Sequence, residues 1–337
     1  MKIITATAPA RAALAGNPSD GYYGKTLSLA VHNFRARVVV YEWPQLEIIS
    51  PPSEGCVFDS LDQLAEDVGR NGYYGALRLV KASLKRFHAY CGQNGVRLPS
   101  QNFSIRFETD VPRGVGLAGS SAIITATFRA LMLFFGVAIP REILPNWILS
   151  VEREELGIQG GLQDRVAQVY EGLTLMDFER DHLEREGFGR YESLDPTWLP
   201  PLYLAYRTEL AEPSDVVHND LRARYDAGDG AVLAAMDELR AVTDRAARAL
   251  RERDEVELGR AIDDNFEVRR GMMKIASGHQ KMIDAARACG ASANFAGSGG
   301  AIIGTLGGAS FGDLKRQLGD LGCRVIVPRA LDTVPSD

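Results

Sequence analysis

The segment PRGVGLAGSSA, residues 112–122, places glycines, alanines and two serines directly before an apolar run. Glycines let backbone N–H groups approach an anion closely. A helix that begins near Ser120 would direct the positive end of its dipole toward the same anion. The serine hydroxyls can also hold a Mg²⁺ ion. The segment therefore predicts a phosphate-binding loop between a strand and a helix.

This loop differs from the two commonest glycine-rich nucleotide loops. No Lys follows the glycines, as the Walker pattern requires, and the glycine spacing is not that of the dinucleotide fingerprint. A Gly-Ser segment before a buried helix also occurs as a simple strand-to-helix turn. On the segment alone, both interpretations stay open.

Two further glycine-containing motifs lie near the ends of the chain. They are PARAALAGNPSD at residues 9–20 and NFAGSGGA at residues 294–301. Together with residues 112–122, and in this order, they resemble the three signature motifs of the GHMP small-molecule kinases. That family includes galactokinases, homoserine kinases, mevalonate kinases and phosphomevalonate kinases. The chain is identified as a member on this resemblance, which spans nearly its whole length.

The resemblance implies a two-domain α+β fold. An N-terminal mixed α/β domain is expected at residues 1–198, and a C-terminal ferredoxin-like α+β domain at residues 199–337. The sequence agrees with a domain boundary there, because Leu199-Pro200-Pro201 would interrupt a helix or a strand. Two β-rich runs within residues 26–41 predict an antiparallel sheet in the first half.

Composition excludes several classes of function. A chain of 337 residues with 45% hydrophobic content can bury a substantial core. Its net charge of −6 argues against nucleic acid as a partner, because phosphate-backbone binders carry a concentrated basic face. The longest apolar run, residues 130–139, is too short to span a bilayer, so no membrane partner is expected. The cysteines lack zinc-site spacing, which favours free thiols in the cytoplasm. The oligomeric state stays open.

By the resemblance, ATP and Mg²⁺ are the expected cofactors. The first glycine loop and the third motif would form the wall around the phosphates, although a hairpin turn is an alternative for the third motif. The expected nucleotide-binding residues are Pro112, Gly114, Gly116, Leu117, Ala118, Gly119, Ser120, Ser121, Ala122, Gly297, Ser298 and Gly299.

The resemblance also supplies candidates for catalysis. Asp164 matches the catalytic aspartate of the family, which accepts or orients the proton of the acceptor hydroxyl. Arg11 matches a basic position beside it that can stabilise the transferred phosphoryl group and keep the carboxylate ionised. Glu152, 12 residues before Asp164, matches the metal-binding glutamate and would ligate Mg²⁺ with Ser121. The alternatives are a turn cap for Asp164 and a solvated helix face for Glu152, with Glu154 as a substitute ligand.

Within the family, the chain is most similar to members that act on D-glucuronate. The expected substrate-binding residues are Asn17, Asp20, Asp164 and Arg269. The other positions of that resemblance are Pro18, Ser19, Pro213, Ser214, Asp215, His218, Asn265, Phe266 and Arg270. A uronic acid brings its own carboxylate, for which an arginine fork is a suitable partner.

Each of these substrate assignments has an alternative. Asn-Pro-Ser-Asp is also a good turn sequence, and the paired arginines can instead form ion pairs along their own helix. Asn17-Pro18 stands where galactokinases have a Glu-His pair, which argues against galactose. The implied reaction is phosphorylation of the anomeric hydroxyl of D-glucuronate. Another sugar or heptose 1-kinase, or a non-catalytic sensor of sugar and nucleotide, stays open.

Overall fold

The computed structural model describes residues 2–50, 75–208 and 221–331, and these residues form two β-sheets. The strands are β1 (Ile3–Ala15), β2 (Lys25–Glu42), β3 (Glu47–Ile49), β4 (Phe103–Thr109), β5 (Leu173–Asp177), β6 (Arg190–Leu194), β7 (Leu202–Tyr206), β8 (Asn294–Phe295), β9 (Ala301–Thr305) and β10 (Arg324–Ile326). The first sheet has the order β3-β4-β2-β5-β6, with β1 also paired to β2, and the second has the order β10-β7-β9-β8.

Nine α-helices are defined within the described residues, and several of them pack against these sheets. The nine are α1 (Ala76–Gln93), α2 (Gly119–Phe135), α3 (Leu144–Ser150), α4 (Gln163–Tyr170), α5 (Arg180–Glu186), α6 (Gly230–Glu252), α7 (Glu255–Met272), α8 (Ser277–Ala288) and α9 (Phe311–Asp320). A π-helical turn, Val151–Glu155, continues α3, and short 3₁₀ turns lie at Ser19–Tyr22 and Pro196–Trp198. No helix within the described segments combines the length and the apolar character that crossing a membrane would need.

A long antiparallel hairpin of β1 and β2 organises the first sheet. Its pairs run from Ile3 with Tyr41 to Ala15 with Leu27. The two β-rich runs predicted within residues 26–41 belong to a single strand. A register shift beside Pro9 accommodates the residues that link them. Proline, which lacks an N–H, is tolerated there because the ladder is interrupted at the bulge.

The two sheets share a hydrophobic core near the C-terminal end of β1. Leu14 on β1, Leu204 on β7 and Ala246 on α6 are all fully buried in one cluster. The backbone N–H of Ala13 also donates to the carbonyl of Ala296, which follows β8, at 2.9 Å. The first and third sequence motifs are therefore brought into contact, although they lie at opposite ends of the chain.

The chain passes from one sheet to the other between Leu194 and Leu202. The second sheet is antiparallel throughout, and α7 packs against its strands β8 and β9. Helix α6 packs against α7 and against β1 and β2 of the first sheet. This arrangement is consistent with the expected α+β architecture. The division at residues 198 and 199 stays a prediction, because the change of sheet alone does not define independent folding units.

Candidate active site

The segment predicted to bind phosphate leaves β4 and ends where α2 begins at Gly119. Gly114 and Gly116 have φ values of +68° and +74°, and Ala118 is left-handed with φ of +63°. This path turns the chain sharply into the N-terminus of α2, whose first N–H groups have no partner within the helix. A Cβ on Gly119 would meet only Val111, at 3.4 Å, which is an ordinary van der Waals contact, so the fold itself tolerates a small side chain here.

The third motif packs directly against this loop. A Cβ on Gly116 would lie 2.7 Å from the backbone nitrogen of Ser298, and one on Gly297 would overlap the carbonyl of Gly116. A Cβ on Gly299, which has φ of +149°, would press on the ring of His279 at 2.9 Å. The glycines are needed because two backbones approach here with no room for side chains. The two predicted nucleotide loops therefore form one continuous surface.

Arg11 joins the three motifs. It is 5% exposed, and its backbone N–H donates to the carbonyl of Leu117 at 3.1 Å. One guanidinium nitrogen, Nη1, donates to the carbonyls of Ala296 and Gly116, and the other, Nη2, pairs with the Oδ1 atom of Asp164. The guanidinium thus connects the phosphate loop, the third motif and the predicted catalytic carboxylate.

Asp164 lies in the first turn of α4, with its side chain 24% exposed. Its Oδ1 atom meets Arg11, and its Oδ2 atom lies 3.6 Å from Nη1 of Arg165. The N-cap residue of α4 is Leu162, whose side chain makes no capping hydrogen bond. The Asp164 carboxylate is directed at the two guanidiniums. Asp164 is a carboxylate held between two guanidiniums with part of its surface accessible.

Asp20 is the second carboxylate of this site. Its Oδ2 atom accepts a hydrogen bond from the backbone N–H of Gln163 at 3.1 Å. Burial raises the pKa of Asp20 to about 6, and the neighbouring charge of Asp164 adds to the rise. A Cβ on Gly161 would overlap the Asp20 carboxylate, so glycine is required there to admit it. The structure therefore brings both predicted sugar-binding carboxylates together.

Glu152 is paired with Arg165 rather than exposed. Both side chains are 6% exposed, and the Glu152 carboxylate contacts Nη2 of Arg165 directly. Burial lowers the pKa of Arg165 to about 10, which leaves it charged at neutral pH. The interpretation as a solvated helix face fits Glu154 instead, because its side chain is 59% exposed and pairs with Arg86 at 2.8 Å.

The two predicted magnesium ligands therefore differ in how free their oxygen atoms are to bind a metal ion. Ser121 is buried, and its hydroxyl donates to the carbonyl of Ala118 at 3.1 Å, which leaves its oxygen able to accept or ligate. The carboxylate of Glu152 is engaged by Arg165. Across residues 2–50, 75–208 and 221–331, the structure contains no group of three or more acidic, histidine or cysteine side chains that could hold a metal by themselves. The magnesium set of Ser121 and Glu152 stays a prediction.

Asn17 has a structural role in the described chain. It is 3% exposed, and its amide nitrogen donates to the carbonyl of Phe295 at 3.0 Å. Its Oδ1 atom accepts hydrogen bonds from Asn265 at 3.3 Å and from Asn294 at 3.1 Å. Both lone pairs of that oxygen are thereby used. The amide of Asn17 thus ties the first motif to the second sheet, and its contact with the sugar stays a prediction.

Arg269 and Arg270 do not form the expected fork for a substrate carboxylate. Arg269 is 2% exposed, donates to the carbonyl of Gly297 at 2.9 Å and lies over the ring of Phe295 at 5.0 Å. Burial lowers its pKa to about 9, with a further contribution from Arg11. Arg270 points away and pairs with Glu267 at 2.5 Å. Arg269 supports the third motif from behind. Pro213, Ser214, Asp215 and His218 lie outside the described residues.

The sequence reasoning overlooked Arg165, although it directly follows Asp164. Arg11, Arg165 and Arg269 are all buried, and the Nε–H group of each lacks a hydrogen-bond partner. A buried donor without an acceptor is costly, especially on a cation. Three such cations next to a glycine-lined helix terminus suit a polyanionic ligand. The residues present therefore fit the triphosphate of ATP.

Comparisons with known proteins found relatives of this chain. The family model for the N-terminal domain of GHMP kinases matches residues 78–172. Glucuronokinase 1 from Arabidopsis thaliana is 40% identical over 300 residues, which is 87% of this chain and 82% of the relative. Probable glucuronokinase 2 of the same plant is 41% identical over 307 residues, with the same coverage. The D-glycero-alpha-D-manno-heptose 7-phosphate kinase of Campylobacter jejuni is 28% identical over 53% of this chain and 51% of its own.

Solved structures share the fold. The Methanococcus jannaschii mevalonate kinase has a TM-score of 0.71 at 16% identity, covering 98% of this chain and 99% of its own. The Lactococcus lactis galactokinase complexed with galactose has a TM-score of 0.75 at 14% identity, covering 98% of this chain and 94% of its own. The two-domain α+β fold implied by the three motifs is confirmed.

Proposed function

The chain belongs to the GHMP kinase family, and we propose that it is an ATP-dependent sugar 1-kinase whose acceptor is the anomeric hydroxyl of D-glucuronate. The observation that carries the proposal is the pairing of Arg11 with Asp164 where the three motifs meet. Phosphoryl transfer needs a carboxylate beside the acceptor hydroxyl and a cation beside the transferred group. The similarity to two glucuronokinases over 87% of the chain supports the sugar acid as substrate.

Asp164 is the group that orients the acceptor hydroxyl and receives its proton. Arg11 and Arg165 face its two oxygens, so the carboxylate stays in one orientation. The anomeric oxygen forms a bond to the γ-phosphorus, and the bond from that phosphorus to the β–γ bridging oxygen breaks. ADP leaves with the electron pair of the broken bond, and Asp164 later releases the proton to water.

The phosphates are held by the continuous surface of the two glycine loops. The first backbone N–H groups of α2, which begins at Gly119, have no partner within the helix and are donors for these phosphates. Arg11 lies between this loop and Asp164. Its charge stabilises the γ-phosphoryl group as that group passes from the β–γ bridging oxygen to the anomeric oxygen. Arg269 holds the carbonyl of Gly297 and so fixes the third motif. Together, these groups position both substrates.

Members of this family use ATP with a divalent metal ion. When bound, Mg²⁺ neutralises charge on the β- and γ-phosphates. Ser121 fits as one ligand, whereas Glu152 fits only if Arg165 releases it. A Mg²⁺ titration of the Glu152→Gln variant tests that ligand, because loss of the charge should raise the Mg²⁺ concentration for half-maximal rate. An unchanged titration would remove Glu152 from the metal site.

The test of the proposed function is ADP release measured on the full chain. The acceptor panel contains D-glucuronate, D-galacturonate, D-glucose, D-galactose and a heptose 7-phosphate, with Asp164→Asn as the inactive control. We expect the highest kcat/KM with D-glucuronate, at least roughly tenfold above D-glucose. Phosphorus NMR of the product should show an anomeric phosphate. Higher activity on a neutral hexose or on the heptose would refute D-glucuronate as the substrate. No ADP release with any acceptor would favour a non-catalytic sensor of sugar and nucleotide. A cytoplasmic location stays a prediction.

A further inference from the structure

Gln168 is a fully buried amide that links the first motif, the phosphate loop and helix α2. Its Nε2 atom donates to the carbonyl of Pro9 at 3.1 Å and to the carbonyl of Ala118 at 2.9 Å. Its Oε1 atom accepts from the hydroxyl of Thr125, on α2, at 3.3 Å. Because a backbone carbonyl can only accept, the amide nitrogen must face the two carbonyls and the oxygen must face the hydroxyl. The side chain therefore has one orientation, with both of its polar atoms engaged.

The position of Gln168 on α4 relates it to Asp164. It follows Asp164 by four residues, so the two side chains lie on the same face of the helix. Asp164 contacts Arg11 on β1, and Gln168 contacts Pro9, two residues earlier on that strand. Four residues advance a helix by about 6 Å and two residues advance a strand by about 6.6 Å, so the spacings of the two contacts match. Helix α4 is thus fixed along β1 at two points.

The carbonyl of Ala118 is the point at which Gln168 reaches the phosphate loop. Ala118 has φ of +63°, a left-handed conformation that is unfavourable for a residue with a Cβ. Its carbonyl also accepts from the Ser121 hydroxyl and the Ala122 N–H, both at 3.1 Å, but these donors belong to the first turn of α2 itself. Gln168 reaches the carbonyl from a different helix. A strained residue keeps its conformation where its surroundings hold it, and the amide of Gln168 is such a restraint.

We propose that Gln168 is a positioning residue for phosphoryl transfer, which holds Ala118 in its left-handed conformation and so fixes the phosphate loop at a set distance from Asp164. The inference rests on the proposed function, because the two parts that Gln168 joins would carry the nucleotide and the acceptor. Phosphoryl transfer depends on such positioning, since the attacking oxygen must lie in line with the bond that breaks. A displacement of about 1 Å can lower the rate roughly 100-fold.

Helices α2 and α4 stay joined without the Gln168 amide. Arg129 on α2 donates through Nη2 to the backbone carbonyl of Gln168 at 2.7 Å and pairs through Nη1 with Glu171 at 2.7 Å. Neither contact involves the Gln168 side chain. Methionine is unbranched, similar in length to glutamine and readily accommodated in a core, so Gln168→Met removes the amide with little change in packing. This variant should fold, and it tests the hydrogen bonds.

The test measures ADP release by the full chain, with the acceptor of the panel that has the highest kcat/KM. Gln168→Met should lower kcat roughly 10- to 100-fold, with the KM values for the sugar and for ATP changed less than about threefold. Thr125→Val, which removes the hydroxyl that orients the Gln168 amide, should lower kcat about 3- to 10-fold. Thr127→Val is the matched control, because Thr127 is equally buried on α2 but donates to the carbonyl of Ile123 in the same helix, at 2.8 Å. Its kcat should stay within about twofold of the unaltered chain.

Ala118→Gly provides a rescue that depends on the proposed role. Glycine adopts a positive φ without the penalty of a Cβ, so the loop then needs Gln168 less. Adding Ala118→Gly to Gln168→Met should raise kcat about threefold or more above that of Gln168→Met alone. Adding it to Thr127→Val should give no such gain, because the two sites do not share a partner.

The other outcomes count against this inference or against the proposed function. A normal kcat in Gln168→Met, or equal kcat losses in Thr125→Val and Thr127→Val, would refute the positioning role. Joint weakening of both KM values and of thermal stability would make Gln168 a structural residue only, and no gain from Ala118→Gly would show that it does not act through the loop. If Gln168→Met does not fold, the two threonine variants decide.

The acceptor panel separates the two proposals. If the unaltered chain prefers another sugar and the variants behave as expected with it, D-glucuronate is refuted as the substrate and the positioning role stands. If the unaltered chain phosphorylates D-glucuronate and Gln168→Met is as fast, the function stands and the positioning role is refuted. If the unaltered chain releases no ADP with any acceptor, both fail.

Discussion

Replacing Asp20 by asparagine should make the protein more stable at neutral pH while weakening its binding of sugar. Asp20 is a carboxylate that burial and the charge of Asp164 both oppose, so its pKa rises from 3.8 to about 6. An acid whose pKa is raised by folding binds its proton more tightly in the folded state. Ionisation between about pH 4 and pH 6 therefore costs folding free energy, and the protein loses stability as pH rises through that window.

The magnitude follows from the shift. A rise of about 2 pKa units corresponds to at most about 3 kcal/mol at pH 7, because each unit is worth about 1.36 kcal/mol. Asparagine keeps an oxygen that can accept from the backbone N–H of Gln163, so the local hydrogen bond survives. With an unfolding entropy of about 2.1 cal/mol/K per residue, this chain should gain roughly 4 °C in Tm.

The assay is thermal unfolding at pH 4.0 and pH 7.5 in the absence of ligands. At pH 7.5, Asp20→Asn should unfold about 4 °C above the unaltered protein, and at pH 4.0 the two should agree within about 1 °C. Asp313→Asn is the matched control, because that exposed carboxylate lies on α9 away from the site and should change stability by less than about 0.5 kcal/mol. In the kinase assay, Asp20→Asn should raise the KM for the sugar.

Two results would contradict this reasoning. An equal Tm difference at both pH values would mean that the effect of the substitution does not come from ionisation of Asp20. A less stable variant at pH 7.5 would mean that the ionised carboxylate is stabilised by Arg11 and Arg165 more than it is penalised by burial.

Three further predictions follow from the same site. Asp164→Asn should lower kcat by roughly 10²- to 10⁴-fold with ATP affinity retained, and near-normal turnover would remove Asp164 from the mechanism. Gly119→Ala should keep the fold and weaken nucleotide binding. Gly116→Ala should instead cost about 1–3 kcal/mol of stability, because its φ is +74° and a Cβ would lie 2.7 Å from the nitrogen of Ser298. The opposite ranking of the two variants in unfolding and nucleotide-binding assays would contradict the loop geometry. Arg165→Met should destabilise the protein by about 3–5 kcal/mol by leaving Glu152 buried and unpaired. The double variant Glu152→Gln with Arg165→Met should recover most of that loss in urea unfolding, and a double variant no more stable than the single one would show that the charge of Glu152 is not responsible.

The sequence by itself identified the family and the parts of the site that depend on local chain chemistry. Gly116 and Gly297 are recognisable in the sequence because close backbone approach requires glycine, whatever its partner is. Asp164 and Arg11 were recognisable because they occupy fixed positions within or beside such motifs. The predicted two-domain α+β fold followed from the same motifs and is confirmed.

Only the tertiary structure decided which polar side chains are left to meet a ligand. The Oδ1 atom of Asn17 already accepts from Asn265 and Asn294, whereas the buried Nε–H of Arg269 has no partner among the described residues. Arg165 looks like one more helix charge in the sequence, and packing buries it against the carboxylate of Glu152. The reason is physical: burial obliges each polar group to find a partner, and that partner usually lies far along the chain. A sequence shows which groups a residue carries, whereas the packed chain determines which of those groups remain unpaired.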